Sequence, residues 1–353
     1  PACTDKFTRA EWAVMGGADI VVEIPSCFAV SSAERFAEGA VKTLAATGVV
    51  TDLAFGVETD DVNALYHLAD LLDREPGGFR VYLNYHLKQG KSFPRAQYDA
   101  LSDLGVPDEE LNILSQPNNI LAVEYLKSLR RYAPDIMPLP IQRIGNKYNS
   151  TVLTGKLSSA TAIREALLSG DESVYDTMPM SVAAAMRFDS QFPVTFDRFA
   201  QMLLYRLRTM SLEELKALPD VSEGFEQVLY RAARQATDLP SLLEAIKSKR
   251  YTLARCKRIL VSALLHMPSG LTDAMRNSEN RYLHVLGLKR IGRGLLSAMA
   301  SKASAPVILR NSDVQNCSEI ARASLAIDAL STDFYAYALN RELHRDGQSA
   351  ITV

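Results

Sequence analysis

The apolar positions of the first 150 residues switch period repeatedly. GGADIVVEIP (16–25) holds a β-branched run ended by Pro25, and TDLAFGVE (51–58) holds a second with a glycine at its carboxyl end. Both patterns predict strands. Segments 33–48, 62–75, 79–93, 95–105 and 118–132 read as helices packed by one apolar face. MPLPIQRI (137–144) predicts a third strand, placed at a sheet edge by two prolines that cannot donate to a ladder. Strands alternating with helices imply an α/β fold, a mostly parallel sheet with helices on its faces.

Beyond about residue 185 the strand pattern nearly vanishes. Segments near 195–210, 211–218, 222–236, 240–249, 252–266, 282–303 and 318–344 predict helices, and PVILR (306–310) is the one good strand candidate. No fixed-period repeat or low-complexity run occurs. The Pro/Met/Ser-rich stretch DTMPMS (176–181) is the expected boundary between an α/β domain, 1–180, and a mostly helical domain, 181–353. A chain of 353 residues suits about two domains.

Charge sharpens that division. Residues 1–180 carry 16 Lys and Arg against 24 Asp and Glu, whereas 181–353 carry 23 against 17. Within 247–293 there are 11 basic residues and only Asp273 and Glu279 to oppose them. An acidic half joined to a basic half suggests a nucleic-acid-binding module attached to something else; a solvated helix face is the plainer alternative. No apolar run approaches the roughly 18 residues that span a bilayer, and no signal peptide opens the chain. Cys3, Cys27, Cys256 and Cys317 form no CxxC pair, which favours reduced thiols in cytoplasm over a structural zinc.

Candidate chemistry is sparse. No HExxH, GxSxG or GxxxxGK[ST] occurs, which argues against zincin, α/β-hydrolase and P-loop mechanisms. The five histidines lie far apart, and Asp19 and Glu23 suggest no more than strand-end hydrogen bonds. Ligands of open α/β sheets bind beyond the carboxyl ends of the strands. Gly56 lets a flat ligand approach the backbone there, or serves only a turn. Asn118 follows Pro117 as an N-cap, with one asparagine more than a cap requires, so a spare amide is free to read a purine or ribose. LSSATAIREALLSG (157–170) places Ser159 or Thr161 as N-cap and Arg164 near the first turn. The helix dipole disfavours a cation there unless an anion shares the site, so the segment reads as a phosphate cradle. In the basic half, a helix from Leu253 would direct Arg255, Lys257 and Arg258 to solvent while Leu253, Ile259 and Leu260 pack inward. Lys249 and Arg250 precede it. Tyr251 and Tyr282 offer stacking surfaces suited to RNA. In LGLKRIGRGLL (286–296), glycines beside Lys289, Arg290 and Arg293 let a backbone approach phosphates.

Taken together, TDKFTRAEWAVMGGADIVVEIP (4–25), AERFAEGAV (33–41), FGVE (55–58), LSQPNNILAVEYL (114–126), SSATAIREAL (158–167), SEGFEQVLYRAA (222–233), SKRYTLARCKRIL (248–260) and RYLHVLGLKRIGRGLL (281–296) resemble the bacterial tRNA(Met) cytidine acetate ligases nearly end to end. The resemblance implies a nucleotidyltransferase-like α/β domain followed by a mostly helical tRNA-binding region. It implies activation of acetate by ATP, with Mg2+ bridging the phosphates, to acetyl-adenylate and pyrophosphate. The acetyl group then passes to the wobble cytidine of elongator tRNA(Met), giving N4-acetylcytidine; no DNA or membrane partner is implied. By motif matching, Gly56, Asn118, Arg143 and Ile144 fall at ATP-binding positions. Ser159, Thr161 and Arg164 fall in the second phosphate-binding motif. Such ligases open with a strand and a loop of the type EYNPFHxGH, whereas no histidine here precedes His67. The leading strand, phosphate loop and second strand are therefore expected to belong to a longer protein. A tRNA-binding protein without catalysis, or a small-molecule adenylyltransferase, are the competing readings.

Overall fold

In the computed structural model, described for residues 2–144, 152–153, 155, 157–188, 193–341 and 351–352, the first half follows the expected alternation closely. Helix α1 (Lys6–Met15) starts at Asp5, whose carboxylate accepts from the amides of Phe7 and Thr8. Then come β1 (Ile20–Val22), α2 (Ala33–Ala46), β2 (Asp52–Val57), α3 (Val62–Arg74), α4 (Phe79–Lys88), α5 (Phe93–Asp103), α6 (Pro117–Tyr132) and β3 (Met137–Gln142). Strands β2 and β3 pair in parallel, from Asp52 beside Met137 to Val57 beside Gln142. Phe55 and Val57 pack inward with Leu65, Leu68, Leu101 and Leu126 of α3, α5 and α6. Met137, Leu139 and Ile141 are exposed on alternate positions of β3.

The second half holds α7 (Ala160–Ser169), α8 (Met180–Phe188), α9 (Ala200–Thr209), α10 (Phe225–Gln235), α11 (Leu239–Ile246), α12 (Leu253–Leu264), a strand β4 (Leu283–Leu288), α13 (Arg293–Lys302), β5 (Val307–Ile308), α14 (Glu319–Leu339) and β6 (Ile351–Thr352). Helices α9 to α12 enclose one core built from Leu203, Leu207, Leu229, Leu242, Ile259 and Leu260. Two expectations fail here. The helix expected over 282–303 is a strand followed by a shorter helix. Every residue of β4 is buried, and a run buried on both faces has no period to distinguish strand from helix. Strand β1 also lies outside the β2–β3 sheet. It pairs antiparallel with β4, Ile20 beside Leu288 and Val22 beside Val285, while β5 and β6 pair with β4 in parallel.

That pairing carries the N-terminal residues across the expected division at 180. Cys27 and Phe28 share a core with Met267, Met275, Tyr282, Ile308 and Leu325. Gly39 of α2 lies against the Phe28 ring, where an added Cβ would come within 2.3 Å of it. Beneath β1 runs a buried polar chain. Lys6 Nζ meets Glu23 at 2.9 Å, and Glu23 Oε2 meets His284 Nδ1 at 2.7 Å. Asp328, fully buried, accepts from the Ser26 amide at 2.8 Å and the Tyr282 hydroxyl at 2.5 Å. Burial raises the Glu23 carboxyl, but the Lys6 charge and the His284 contact outweigh it and hold Glu23 below the usual carboxylate range. Asp328 is pushed up to about 7, first by burial and then by the Glu23 charge. All four cysteines are free, and burial pushes the Cys27 thiol up to about 12.

An acid whose native pKa is raised binds its proton more tightly folded than unfolded. Stability conferred by protonated Asp328 is therefore present below about pH 4 and lost as pH rises to about 7. Denaturant unfolding of Asp328→Asn should lack this slope, which approaches ~1.4 kcal/mol per pH unit for one proton in the wild type. Parallel pH profiles for the two proteins between pH 4.5 and 7 would remove Asp328 from that role.

Candidate functional site

The carboxyl end of β2 and the start of α6 meet through side chains that the PNN stretch supplies. Helix α6 opens with Pro117 at its first position, so Gln116 is the N-cap and Asn118 lies inside the first turn; the N-cap reading of Asn118 is corrected accordingly. Its neighbour Asn119 is the structural residue. Asn119 is fully buried, and its Oδ1 accepts from the amides of Glu58 at 2.7 Å and Thr59 at 3.3 Å. Its Nδ2 donates to Gln116 Oε1 at 3.0 Å. Glu58 answers by accepting from the Asn118 amide at 3.1 Å. The loop after β2 is thereby tied to the N-terminus of α6 from both sides.

The Asn118 side chain differs from that of Asn119 among the described residues. Its Nδ2 is buried and has no hydrogen-bond partner, although a buried donor without one costs about 1–3 kcal/mol. Gly56 is exposed in β2, two residues before the Glu58 that accepts from the Asn118 amide, and a Cβ there would meet the Arg143 side chain at 3.4 Å. The Arg143 amide donates to the Val57 carbonyl at 2.9 Å, extending the β2–β3 ladder by one bond, and Ile144 follows with 83% of its surface exposed. Gly56, Asn118, Arg143 and Ile144 thus gather at one sheet end, around an orphaned amide and a bare stretch of backbone. That combination suits a flat polar ligand such as a nucleoside.

The SSATAIR segment opens the next helix, α7. Ser159 caps α7, its hydroxyl accepting from the Ala162 amide at 3.0 Å, and Gly170 ends the helix with φ +73°. Thr161 lies within the helix and is not the cap. Arg164 is exposed, and its Nη1 bonds back to the Ala160 carbonyl at 3.4 Å. Residues 145–151, 154 and 156, which join β3 to α7, lie outside the described residues.

The basic run reads differently in space. Tyr251 is buried, stacked on Phe225 at 3.7 Å between ring centroids, and its hydroxyl donates to the Ser222 carbonyl at 2.7 Å. Tyr282 is buried against Asp328. Neither offers a stacking face, because each ring fills a core while its hydroxyl finds an internal partner. Arg255 donates to the Asp220 carbonyl and lies over the Tyr251 ring, Arg258 pairs with Asp220, and Arg250 pairs with Glu223. These three arginines brace a loop in which Asp220 and Glu223 hold positive φ. Leu253, expected inside, is 39% exposed in the first turn of α12. Lys249 and Lys257 are exposed, as are Lys289, Arg290 and Arg293. The last three follow β4 on a turn that docks onto the strand-entry loop. There the Lys289 amide donates to the Asp19 carbonyl at 2.8 Å, and a Cβ on Gly292 would strike that carbonyl at 2.5 Å. Gly292 therefore serves packing against Asp19 rather than the expected approach of the backbone to phosphates, whereas Gly294 has open space around it.

Sequence reasoning missed that Asn119 accepts from the Glu58 amide while Glu58 accepts from the Asn118 amide, and missed Glu23 as a buried ion-pair member. The Asn-Asn doublet was the available signal, with the structural role falling on its second member.

The HIGH Nucleotidyl Transferase family model matches residues 1–350. The tRNA(Met) cytidine acetate ligase of Acetivibrio thermocellus is 33% identical over 367 residues, covering 100% of this chain and 88% of that protein. That of Fervidobacterium nodosum is 33% identical, covering 97% and 82%. The Thermotoga maritima TmcAL crystal structure in its apo form superposes with a TM-score of 0.94 at 31% identity, covering 100% of this chain and 89% of that one. The same protein bound with alpha-thio ATP superposes at 0.91, with 31% identity and coverage of 100% and 88%. The chain belongs to the HIGH nucleotidyl transferase family and, within it, to the tRNA(Met) cytidine acetate ligases.

Proposed function

We propose that this chain activates acetate with ATP and transfers the acetyl group to N4 of the wobble cytidine of elongator tRNA(Met). The observation that carries the reading is the orphaned Asn118 amide beside bare Gly56, in a chain similar to one solved with alpha-thio ATP. Adenosine lies against Gly56, Arg143 and Ile144, and Asn118 Nδ2 donates to it. An acetate oxygen attacks the α-phosphorus in line, and the bond to pyrophosphate breaks. The wobble amine then attacks the acetyl carbonyl, AMP leaves, and the amine loses a proton. The protein's part is positioning and charge stabilisation. Arg164, with the amides at the Ser159-capped start of α7, holds the phosphates as charge develops on the leaving group. Among the described residues no group of three His, Cys, Asp or Glu could cage a cation, so Mg2+ would take most of its ligands from phosphate and water. Lys249, Lys257, Lys289, Arg290 and Arg293 supply backbone contacts to tRNA. No helix among the described residues is long and apolar enough to cross a membrane.

The two asparagines separate binding from folding. Asn118→Ala should raise the KM for ATP about tenfold, equivalent to ~1.4 kcal/mol, without lowering the melting temperature, since it removes an unsatisfied buried donor. Asn119→Ala strips two buried amides of their acceptor and should destabilise the protein by about 1–3 kcal/mol. Equal effects of both substitutions on thermal melting and on ATP KM would remove Asn118 from the site. Arg164→Ala should slow acetate-dependent acetylation of tRNA(Met) at least tenfold under limiting ATP. Modification at the wild-type rate would take the phosphates away from Arg164.

A further inference from the structure

The acidic half contains one stretch of opposite character. Between Glu75 and Asp99 there is no acidic residue, while Arg80, Lys88, Lys91 and Arg95 alternate with Phe79, Tyr82, Tyr85, Phe93 and Tyr98. This stretch forms the helical hairpin of α4 and α5. Its aromatics do not all serve the core. Phe79 is buried, but Tyr85 is 58% and Phe93 55% exposed, and Val81 beside them is exposed as well. Val81, Tyr85 and Lys88 follow one another at i, i+4 and i+7, on one face of α4. Val81, Tyr82, Tyr85 and Asp103 line a shallow concavity of about 380 Å³.

The hairpin is braced from within. His86 is buried between the helices, its Nε2 at 2.8 Å from Asp103 and its Nδ1 at 2.8 Å from Lys91 Nζ, which also pairs with Asp99. Tyr85 rests edge-on against that imidazole at 5.2 Å. Its ring is thus held on a rigid support while one side stays open to solvent. The hairpin also touches the basic half, because Arg250 Nη2 donates to the Leu87 carbonyl at 3.0 Å. Lys88 follows Leu87 directly, and exposed Lys247 and Lys249 flank Arg250.

We propose that this hairpin is a second RNA-binding surface, on which Tyr85 and Phe93 stack unpaired tRNA bases while Lys88 continues the phosphate track of Lys247 and Lys249. Exposed aromatic rings beside the exposed Lys88 ammonium suit single-stranded nucleotides, since every base has a π-face and its phosphates seek the cation; Arg80, Lys91 and Arg95 are instead held by Glu75 and Asp99. The proposal rests on the tRNA reading above only for the identity of the RNA.

The test measures the affinity of the full chain for elongator tRNA(Met) by fluorescence anisotropy, beside acetylation by the wild type and the melting temperature of each variant. Tyr85→Ala and Phe93→Ala should each weaken binding about fivefold or more, with unchanged melting. Tyr85→Phe should bind as the wild type does. Lys88→Ala should lower the slope of log affinity against log salt by about one. Wild-type affinity in both alanine variants overturns the proposal. So does an alanine variant that sediments more slowly than the wild type with tRNA affinity intact, since the patch would then be a contact between copies. If the wild type acetylates nothing yet Tyr85→Ala loses RNA binding, the ligase reading fails and the surface stands. If the wild type acetylates and the alanine variants bind normally, the surface alone fails.

Discussion

At the end of β1 the Glu23 carboxylate is shared between the Lys6 ammonium and the His284 ring, with all three groups almost wholly removed from water. Breaking a buried pair by removing one member typically costs about 3–5 kcal/mol, because the other charge is left without compensation. These residues come from α1, β1 and β4, so the network favours only arrangements that keep the first thirty residues against the last hundred. The antiparallel β1–β4 ladder and the Asp328 bonds to Ser26 and Tyr282 follow the same seam. The helical core of α9 to α12 draws mostly on residues 194–264, with Ala338 and Leu339 from α14, and the β2–β3 unit lies wholly within the first half. The seam is built from distant sequence.

Helix α2 carries the constraint to α6, whose start forms the edge proposed for the nucleotide. Its Glu38 pairs with Lys42 and with Arg276, while Lys42 lies over the Tyr132 ring of α6 at 4.1 Å. The charge effects of Lys42 and Arg276 hold Glu38 below the usual carboxylate range against the opposing effect of burial. Because α6 also presents Asn118 and Asn119 at its other end, the packing of α2 sets the position of the proposed ATP site without touching it.

What the sequence made legible tracks the range of the interactions involved. The α3 to α6 helices and the β2 and β3 strands were readable because half-buried elements repeat their apolar residues at a recognisable period. Strand β4 was not, since burial on both faces erases that period. Pairing of β1 with β4 was hidden for a different reason: residue 20 meets residue 288, and nothing local encodes the partner. The site shows the same limit. Gly56 and the PNN doublet stood out as residue types, but deciding which asparagine folds the chain and which faces a ligand required knowing that Glu58 and Thr59 point their amides at Asn119. The tyrosines show the limit most plainly. Tyr251 sits in the most basic run of the chain yet is buried on Phe225, whereas Tyr85 lies in the acidic half and stands in solvent.

Charge density along a chain is therefore a poor guide to which cations face a polyanion. Arg250, Arg255 and Arg258 spread their guanidinium donors over the backbone and carboxylates of residues 220–223, a use the planar fork suits better than an ammonium does. The lysines between them remain in water. Arginine braces the 220–223 loop while Lys249 and Lys257 stay exposed, which divides one basic run into a structural part and the part proposed above to meet phosphates. Arg250 serves the brace and also reaches the Leu87 carbonyl, so the geometry of that loop and the placement of the α4–α5 hairpin are linked through a single side chain.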